Sequence, residues 1–201
     1  MTKPTFVYLL LLLTLSSCGS QEGYHQDSNE KWSWKYYHGG EMKYIYSEID
    51  SVDHSTFEKL NSDFGMDKRH VFFQTSIIPN ADSKTFELID GHYSKDAKSV
   101  YFEDQKLVYA RPKSFEVLDW PYAKDKGHVY CGTLPLIGLS SKEVGEFRVT
   151  KTSLSSMATG HKYFVDGNPE YNWLDSNYQI SYGEGGGRTN KRRFWSFREI
   201  K

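Results

Sequence analysis

The chain has two cysteines in 201 residues, Cys18 and Cys131, and neither belongs to a Cys-x-x-Cys pair. Seven histidines are present, but no two stand in a His-x-x-x-His spacing, so the local signatures of a zinc site are missing. Gly-x-Ser-x-Gly, His-Glu-x-x-His and phosphate-loop sequences are absent too, which removes the catalytic classes that leave a local trace and spares those whose residues are dispersed. Gly183 to Gly187 is glycine-rich, yet Arg188 to Trp195 has no helical apolar period, so the run lacks the helix that a dinucleotide loop must open. No cofactor is implied. Charge is balanced, with 25 Lys and Arg against 26 Asp and Glu, and a net of -1 gives no footprint of a nucleic-acid partner. Long apolar runs are lacking as well: the longest, Phe6 to Leu15, is about half of the ~20 residues a spanning helix requires.

That short run has a meaning of its own. Lys3 ahead of it and Leu15-Ser16-Ser17-Cys18 behind it form a secretory signal whose ending resembles a bacterial lipobox. The resemblance implies cleavage after residue 17, acylation of Cys18 and an exported protein held on a membrane by its lipid. Gly19 lacks the aspartate that retains lipoproteins at the inner membrane, which favours the outer membrane where there is one. With Cys18 consumed, Cys131 has no disulfide partner, so stability must come from packing.

Aromatic residues are plentiful, at 15 Tyr, 12 Phe and 5 Trp, while helix-forming runs are scarce. Such residues suit half-buried pleated surfaces, and the expected fold class is all-β. One phrase recurs at a step of 29 residues. Asp67-Lys68-Arg69-His70-Val71-Phe72-Phe73 returns from Asp96 to Phe102 and from Asp125 to Cys131. Ala81, Lys84, Phe86-Glu87, Asp90, Tyr93 and Lys95 recur with the same step as Ala110, Lys113, Phe115-Glu116, Asp119, Tyr122 and Lys124. A period of this size is a repeat architecture. Each copy reads as three short strands (Val71-Phe72-Phe73, a return from Ile77, and Thr85 to Ile89), which makes antiparallel β-meanders stacked on one another. Ser55-Thr56-Phe57-Glu58 extends the pattern back into a degenerate copy from about residue 38.

Asp-Lys-x-x-Val-aromatic-aromatic, then Ala81-Asp82-Ser83-Lys84-Thr85-Phe86-Glu87-Leu88-Ile89, then Tyr122-Ala123-Lys124-Asp125, is similar to the pattern of the DKNYY family of bacterial repeat proteins. The resemblance covers about residues 38 to 140. It departs where Phe72 and Phe73 replace a tyrosine pair, where Cys131 replaces an aromatic and where Ala97 replaces lysine. It implies a repeat fold and carries over no catalytic residues.

The expected organisation is a signal peptide over 1–17, a flexible tether over 18–31, β-repeats over 32–140, an irregular β cap over 141–182 and a glycine-rich basic tail over 183–201. Trp32 to His38 alternates and meets Met42 to Tyr46 through Gly39-Gly40, a hairpin signal that places Trp32, Trp34 and Tyr36 on one face. In the cap, strands are expected at Glu146 to Thr150, Lys162 to Val165, Tyr171 to Leu174 and Tyr178 to Tyr182. Cys131 occupies a slot filled by Phe73 and Phe102, so it reads as a small core residue. Asp67, Asp96 and Asp125 read as turn closers rather than calcium ligands, because the Asp-x-Asp-x-Asp-Gly spacing is absent. Glu87 and Glu116 read as partners of Lys84 and Lys113.

These observations lead to the expectation of a non-enzymatic, membrane-anchored binding or scaffolding module of the bacterial envelope. Its partners would be the membrane, through Cys18, and a protein or other envelope component, with no nucleic acid. Two alternatives stand beside it: an immunity or inhibitor lipoprotein against a secreted toxin, and an envelope hydrolase with a dispersed site. Any partner surface is expected among the residues that the repeats do not share: Trp32, Trp34, Arg188, Lys191, Arg192, Arg193 and Trp195.

Overall fold

The computed structural model describes residues 22–160, 171, 174 and 178–201, with the side chains of 153–160 left aside. The described residues form five antiparallel sheets. The first holds β1 (Gly23–Gln26), β2 (Trp32–His38) and β3 (Lys43–Glu48) in that order. The second is β4 (Glu58–Lys59), β5 (Phe64–Met66), β6 (Val71–Phe73) and β7 (Ser76–Ile77). The third, β8 (Glu87–Leu88), β9 (Tyr93–Lys95), β10 (Val100–Phe102) and β11 (Gln105–Lys106), repeats it 29 residues on. So does the fourth, β12 (Glu116–Val117), β13 (Tyr122–Lys124), β14 (Val129–Cys131) and β15 (Leu134–Pro135). A short helix, α1 (Ser141–Glu146), follows, capped by Ser140 and Glu143 bonding reciprocally. The fifth sheet is β16 (Arg148–Gly160), β17 (Ile180–Arg188), β18 (Arg193–Trp195) and β19 (Arg198–Ile200).

The fold is therefore all-β with 29-residue meander repeats, and three features differ from the sequence expectation. Each full copy has four strands rather than three. Strands as short as Tyr93–Lys95 end at the next turn before any alternation can show. The copies begin at Glu58, Glu87 and Glu116, so the recurring aspartate lies within the central hairpin instead of at a boundary. Gly23–Gln26, expected in the tether, pairs along β2 from Gly23↔Lys35 to Gln26↔Trp32. The expected strands at 162–165 and 171–174 fall largely outside the described residues.

Alternation along each central strand sends neighbouring residues to opposite junctions. Phe72 packs back on Tyr24, Ile49 and Phe57, while Val71 and Phe73 pack forward with Phe64 and Ile78 on Tyr101. Val100 and Phe102 in turn meet Tyr130, and Val129 and Cys131 meet Phe194. No single sheet encloses a core; each junction between sheets does.

Buried carboxylates tie the copies together. Asp96 Oδ1 accepts the Lys98 and Ser99 N–H groups at 2.7 Å, closing its own turn, and Oδ2 accepts the N–H of Asp82 at 3.1 Å. Asp67 does the same with Arg69, His70 and Asp53, and Asp125 with Gly127, His128 and Arg111. Burial works to raise the carboxyls of Asp67 and Asp96, but the backbone donors outweigh it and hold both below the usual aspartate range. Tyrosine hydroxyls add a second tie. Tyr93 donates to the Gly132 carbonyl at 3.2 Å, and Tyr122 to that of Ser196 at 2.9 Å.

Candidate functional site

The recurring aspartates and tyrosine hydroxyls are thus satisfied inside the molecule, and the two end sheets hold what the repeats do not share. At the first, Trp32 and Trp34 face inward: Trp32 packs on Phe57 at 5.0 Å, and Trp34 Nε1 donates to the Ser62 carbonyl at 3.3 Å. Trp32 also walls a half-open cleft of about 550 Å³ with His25, Tyr46, Glu48 and His54. His54 Nδ1 accepts the Trp32 N–H at 2.9 Å, which leaves Nε2 as the ring's donor. Asp27, also on the cleft wall, is held below the usual carboxylate range first by the Lys31 N–H and then by that of Asn29, so it serves the loop between β1 and β2. The cleft is an aromatic-walled concavity with hydrogen-bonding groups that can hold a small polar ligand. Among the described residues, no group of three or more His, Cys, Asp or Glu could hold a metal ion.

The last sheet carries the residues expected in a basic tail, and it is no tail. Thr189 Oγ1 accepts the N–H groups of Lys191 and Arg192 at 3.1 and 3.0 Å, as each aspartate does in its own turn. Its N–H bonds the Arg192 carbonyl as that of Asp125 bonds His128. Ser196 has φ 53°, as do Gln74 and Glu103 at 54° and Gly132 at 58° in the matching turns. β17, β18 and β19 thus form a further copy, and β16 supplies its first strand. The hairpin joining Val149 to Gly187 runs on to Gly160 and Ile180, where the preceding copy passes directly from Val117 to Ala123. The glycines serve packing. Cβ atoms on Gly183 and Gly187 would stand 2.7 Å or less from Trp120 and Phe147, so this strand is stripped to let those rings lie on its backbone.

The DKNYY family model matches residues 3–105 and again 93–197, the second match reaching through β18. The chain belongs to the DKNYY family. No curated protein and no solved structure matches it.

This last sheet exposes positions that the earlier copies bury. Phe194 points back into the fourth sheet's core, whereas Trp195 is 36% exposed and Ile200 42%. Cross-strand neighbours line up Arg148, Arg188, Arg193 and Ile200 in one row, and Lys151, Gly186, Trp195 and Arg198 in the next. A notch of about 260 Å³ opens among Lys151, Gly186, Arg188, Arg193, Trp195 and Ile200. Of the residues singled out from sequence, Arg188, Arg193 and Trp195 share this face. Lys191 lies in the preceding turn, and Arg192 is tied to the Gly138 carbonyl and to Glu199. Trp32 and Trp34 belong to the first junction and join none of them. Sequence reasoning missed Arg148 and Gly186; aligning Gly187 to Phe194 with Ala123 to Tyr130 would have found Gly186 in the slot of Tyr122, whereas Arg148 enters the row only through the register of β16 with β17.

Other candidates resolve into architecture. His70 and His128 share one position, each with Nδ1 3.7 Å from its own turn's aspartate. His92 lies on Glu103 at 3.2 Å, and that carboxylate raises the imidazole pKa. Cys131 is fully buried, its thiol pushed up by burial and donating to the Gly183 carbonyl. Glu87 and Glu116 do not pair with Lys84 and Lys113. They face Lys95 and Lys124 across the strands at 2.8 and 3.3 Å, because cross-strand register rather than spacing brings charges together.

Proposed function

We propose that this DKNYY protein is a non-enzymatic binding or scaffolding module of the bacterial envelope, held on a membrane by acylated Cys18. The observation that carries the reading is the division of labour along the stack. The recurring aspartates and tyrosine hydroxyls bond chiefly to backbone groups, and among the described residues most of the exposed large apolar side chains lie on the two end sheets. Tyr37, Met42 and Tyr46 belong to the first, and Trp195 and Ile200 to the last. Gly23 follows Cys18 by five residues, a reach of at most about 17 Å, so the anchor would hold the first sheet near the lipid. The last sheet, with three sheets between it and the first, would then be presented away from it.

Membrane fractionation of the full chain tests the anchor. The native protein should partition into the detergent phase and Cys18→Ala should not; a Cys18→Ala protein that still partitions there defeats the reading.

A further inference from the structure

The forward face of the last sheet can be compared position by position with the same face of the copies before it. In the fourth sheet one cross-strand row is Glu116, Lys124 and Val129, and the first two form an ion pair. The third sheet repeats that row as Glu87, Lys95 and Val100. In the last sheet the row is Arg148, Arg188 and Arg193. Three like charges side by side in register repel one another, with Cβ atoms about 5 Å apart. Among the described residues no Asp or Glu stands within ion-pair distance of any of them; Arg148 donates to the backbone carbonyls of Gly145 and Phe147, and Arg193 to the main-chain oxygen of Lys201 at 2.8 Å. The next row sharpens the contrast. The slot filled by Tyr93 and Tyr122 in earlier copies is Gly186 here, and the missing ring leaves the notch beside Trp195 and Ile200.

The fold itself shows what such a face receives. At each internal junction it takes an aromatic ring from the following sheet: Tyr101 against Phe64 and Val71, Tyr130 against Tyr93 and Val100, Phe194 against Val129 and Cys131. On the last sheet the receiving shape persists, but its neutral or paired residues have become arginines. Another sheet of this kind would bury Arg193 where its counterparts Val71, Val100 and Val129 are 0% exposed. We infer that this face binds an acidic segment of another protein, one that seats an aromatic side chain in the notch while flanking carboxylates pair with Arg148, Arg188 and Arg193. Bidentate arginine-carboxylate contacts around a central ring give both charge selection and an anchor. The inference rests on the reading of the chain as a binding module and is independent of acylation.

The test uses the full chain purified in detergent and a fluorescein-labelled peptide, Glu-Asp-Tyr-Asp-Glu, with anisotropy as readout. Saturable binding is expected. It should fall about tenfold for Glu-Asp-Ser-Asp-Glu, and Lys-Lys-Tyr-Lys-Lys should not bind. Arg193→Val installs the residue of the internal copies, so folding is preserved, and it should weaken the tyrosine peptide about tenfold, the effect of losing one charge-assisted contact. No binding of the acidic tyrosine peptide up to millimolar concentration, or equal binding by Arg193→Val, overturns the inference. So does self-association abolished by Arg193→Val, which would put a second copy on this face, or binding to anionic vesicles in place of the peptide. Failure here leaves the Cys18→Ala result standing, and failure there leaves this assay intact.

Discussion

Replacing Asp96 by Asn changes one oxygen of a buried carboxylate to an amide and nothing of its size. The retained oxygen can still close the turn through the N–H groups of Lys98 and Ser99. The new NH₂ faces two donors, the Asp82 N–H and the Tyr101 hydroxyl that now donates to Oδ2 at 2.8 Å. The hydroxyl can turn and accept; the Asp82 N–H cannot, and an orphaned buried donor costs about 1–3 kcal/mol. Weaker bonds to a neutral acceptor add about 1 kcal/mol, so a loss of about 3 kcal/mol is expected, a large share of a typical 5–15 kcal/mol. Asp67→Asn is the internal control. It has the same three backbone donors, but Phe72 stands where Tyr101 would, so its loss should be smaller by about 1 kcal/mol. Urea unfolding of Asp96→Asn, Asp67→Asn, Tyr101→Phe and the Asp96/Tyr101 double variant measures both quantities. An Asp96→Asn loss under about 0.5 kcal/mol, or strict additivity in the cycle, would refute the view of these carboxylates as clasps between copies.

Phe64 occupies the slot of Tyr93 and Tyr122, and Phe64→Tyr should gain the missing tie to the next copy's turn, raising stability by about 0.5–1.5 kcal/mol in thermal melts. The carboxyls of Asp67 and Asp96 titrate lower in the folded chain than in the unfolded one. Their contribution is therefore complete above the unfolded value of about 4 and lost as pH falls through the lower folded values. Stability should hold from neutrality to about pH 4 and decline below it, and Asp96→Asn should flatten that acid limb in pH-dependent unfolding curves. Cys131, buried with its thiol pKa raised, should react with a thiol reagent only after denaturant opens the fold; prompt labelling of the native protein would contradict its place in the core.

How far the sequence could be read depended on whether a word kept its period. The three middle copies were legible because Asp, Val and Phe or Tyr recur 29 residues apart, and the side-chain patterns behind them are short-range. Cross-strand partners were not, since Lys95 meets Glu87 only after two strands of two and three residues have paired. The last copy escaped for two physical reasons. The long β16–β17 hairpin breaks the step, and the distinguishing residues are replaced: Asp by Thr189, Val by Arg193, Tyr by Gly186. What survives is the job each position does, as a side-chain oxygen closing a turn or a ring facing back into the core. The functional face was hidden with it. Arg188 and Arg193 read as a basic run until the strands set them beside Arg148 in one row.

That reassignment of residues 183–201 makes a demand that a loosely docked tail does not. Phe194 and Trp195 are adjacent in β18, so the strand must send them to opposite faces. Phe194 is 3% exposed, in the core with Tyr122, Val129 and Phe147, and it lies 6.1 Å from the Phe147 ring. Trp195 is on the outer face, with Lys151 Nζ 5.4 Å from its ring. Phe194→Ala should therefore cost about 3–5 kcal/mol, the range for emptying a buried aromatic site, and should loosen the tie between Tyr122 and Ser196. Trp195→Ala removes the larger side chain and should cost under about 1 kcal/mol, since little more than a partly exposed contact is lost. Hydrogen exchange extends the comparison. In Phe194→Ala, protection should fall in β13 and β14 of the fourth sheet as well as in β18, while Trp195→Ala leaves β13 and β14 unchanged. Equal costs for the two variants, or loss of protection confined to the last sheet, would mean that the C-terminal strands rest on the stack without completing it.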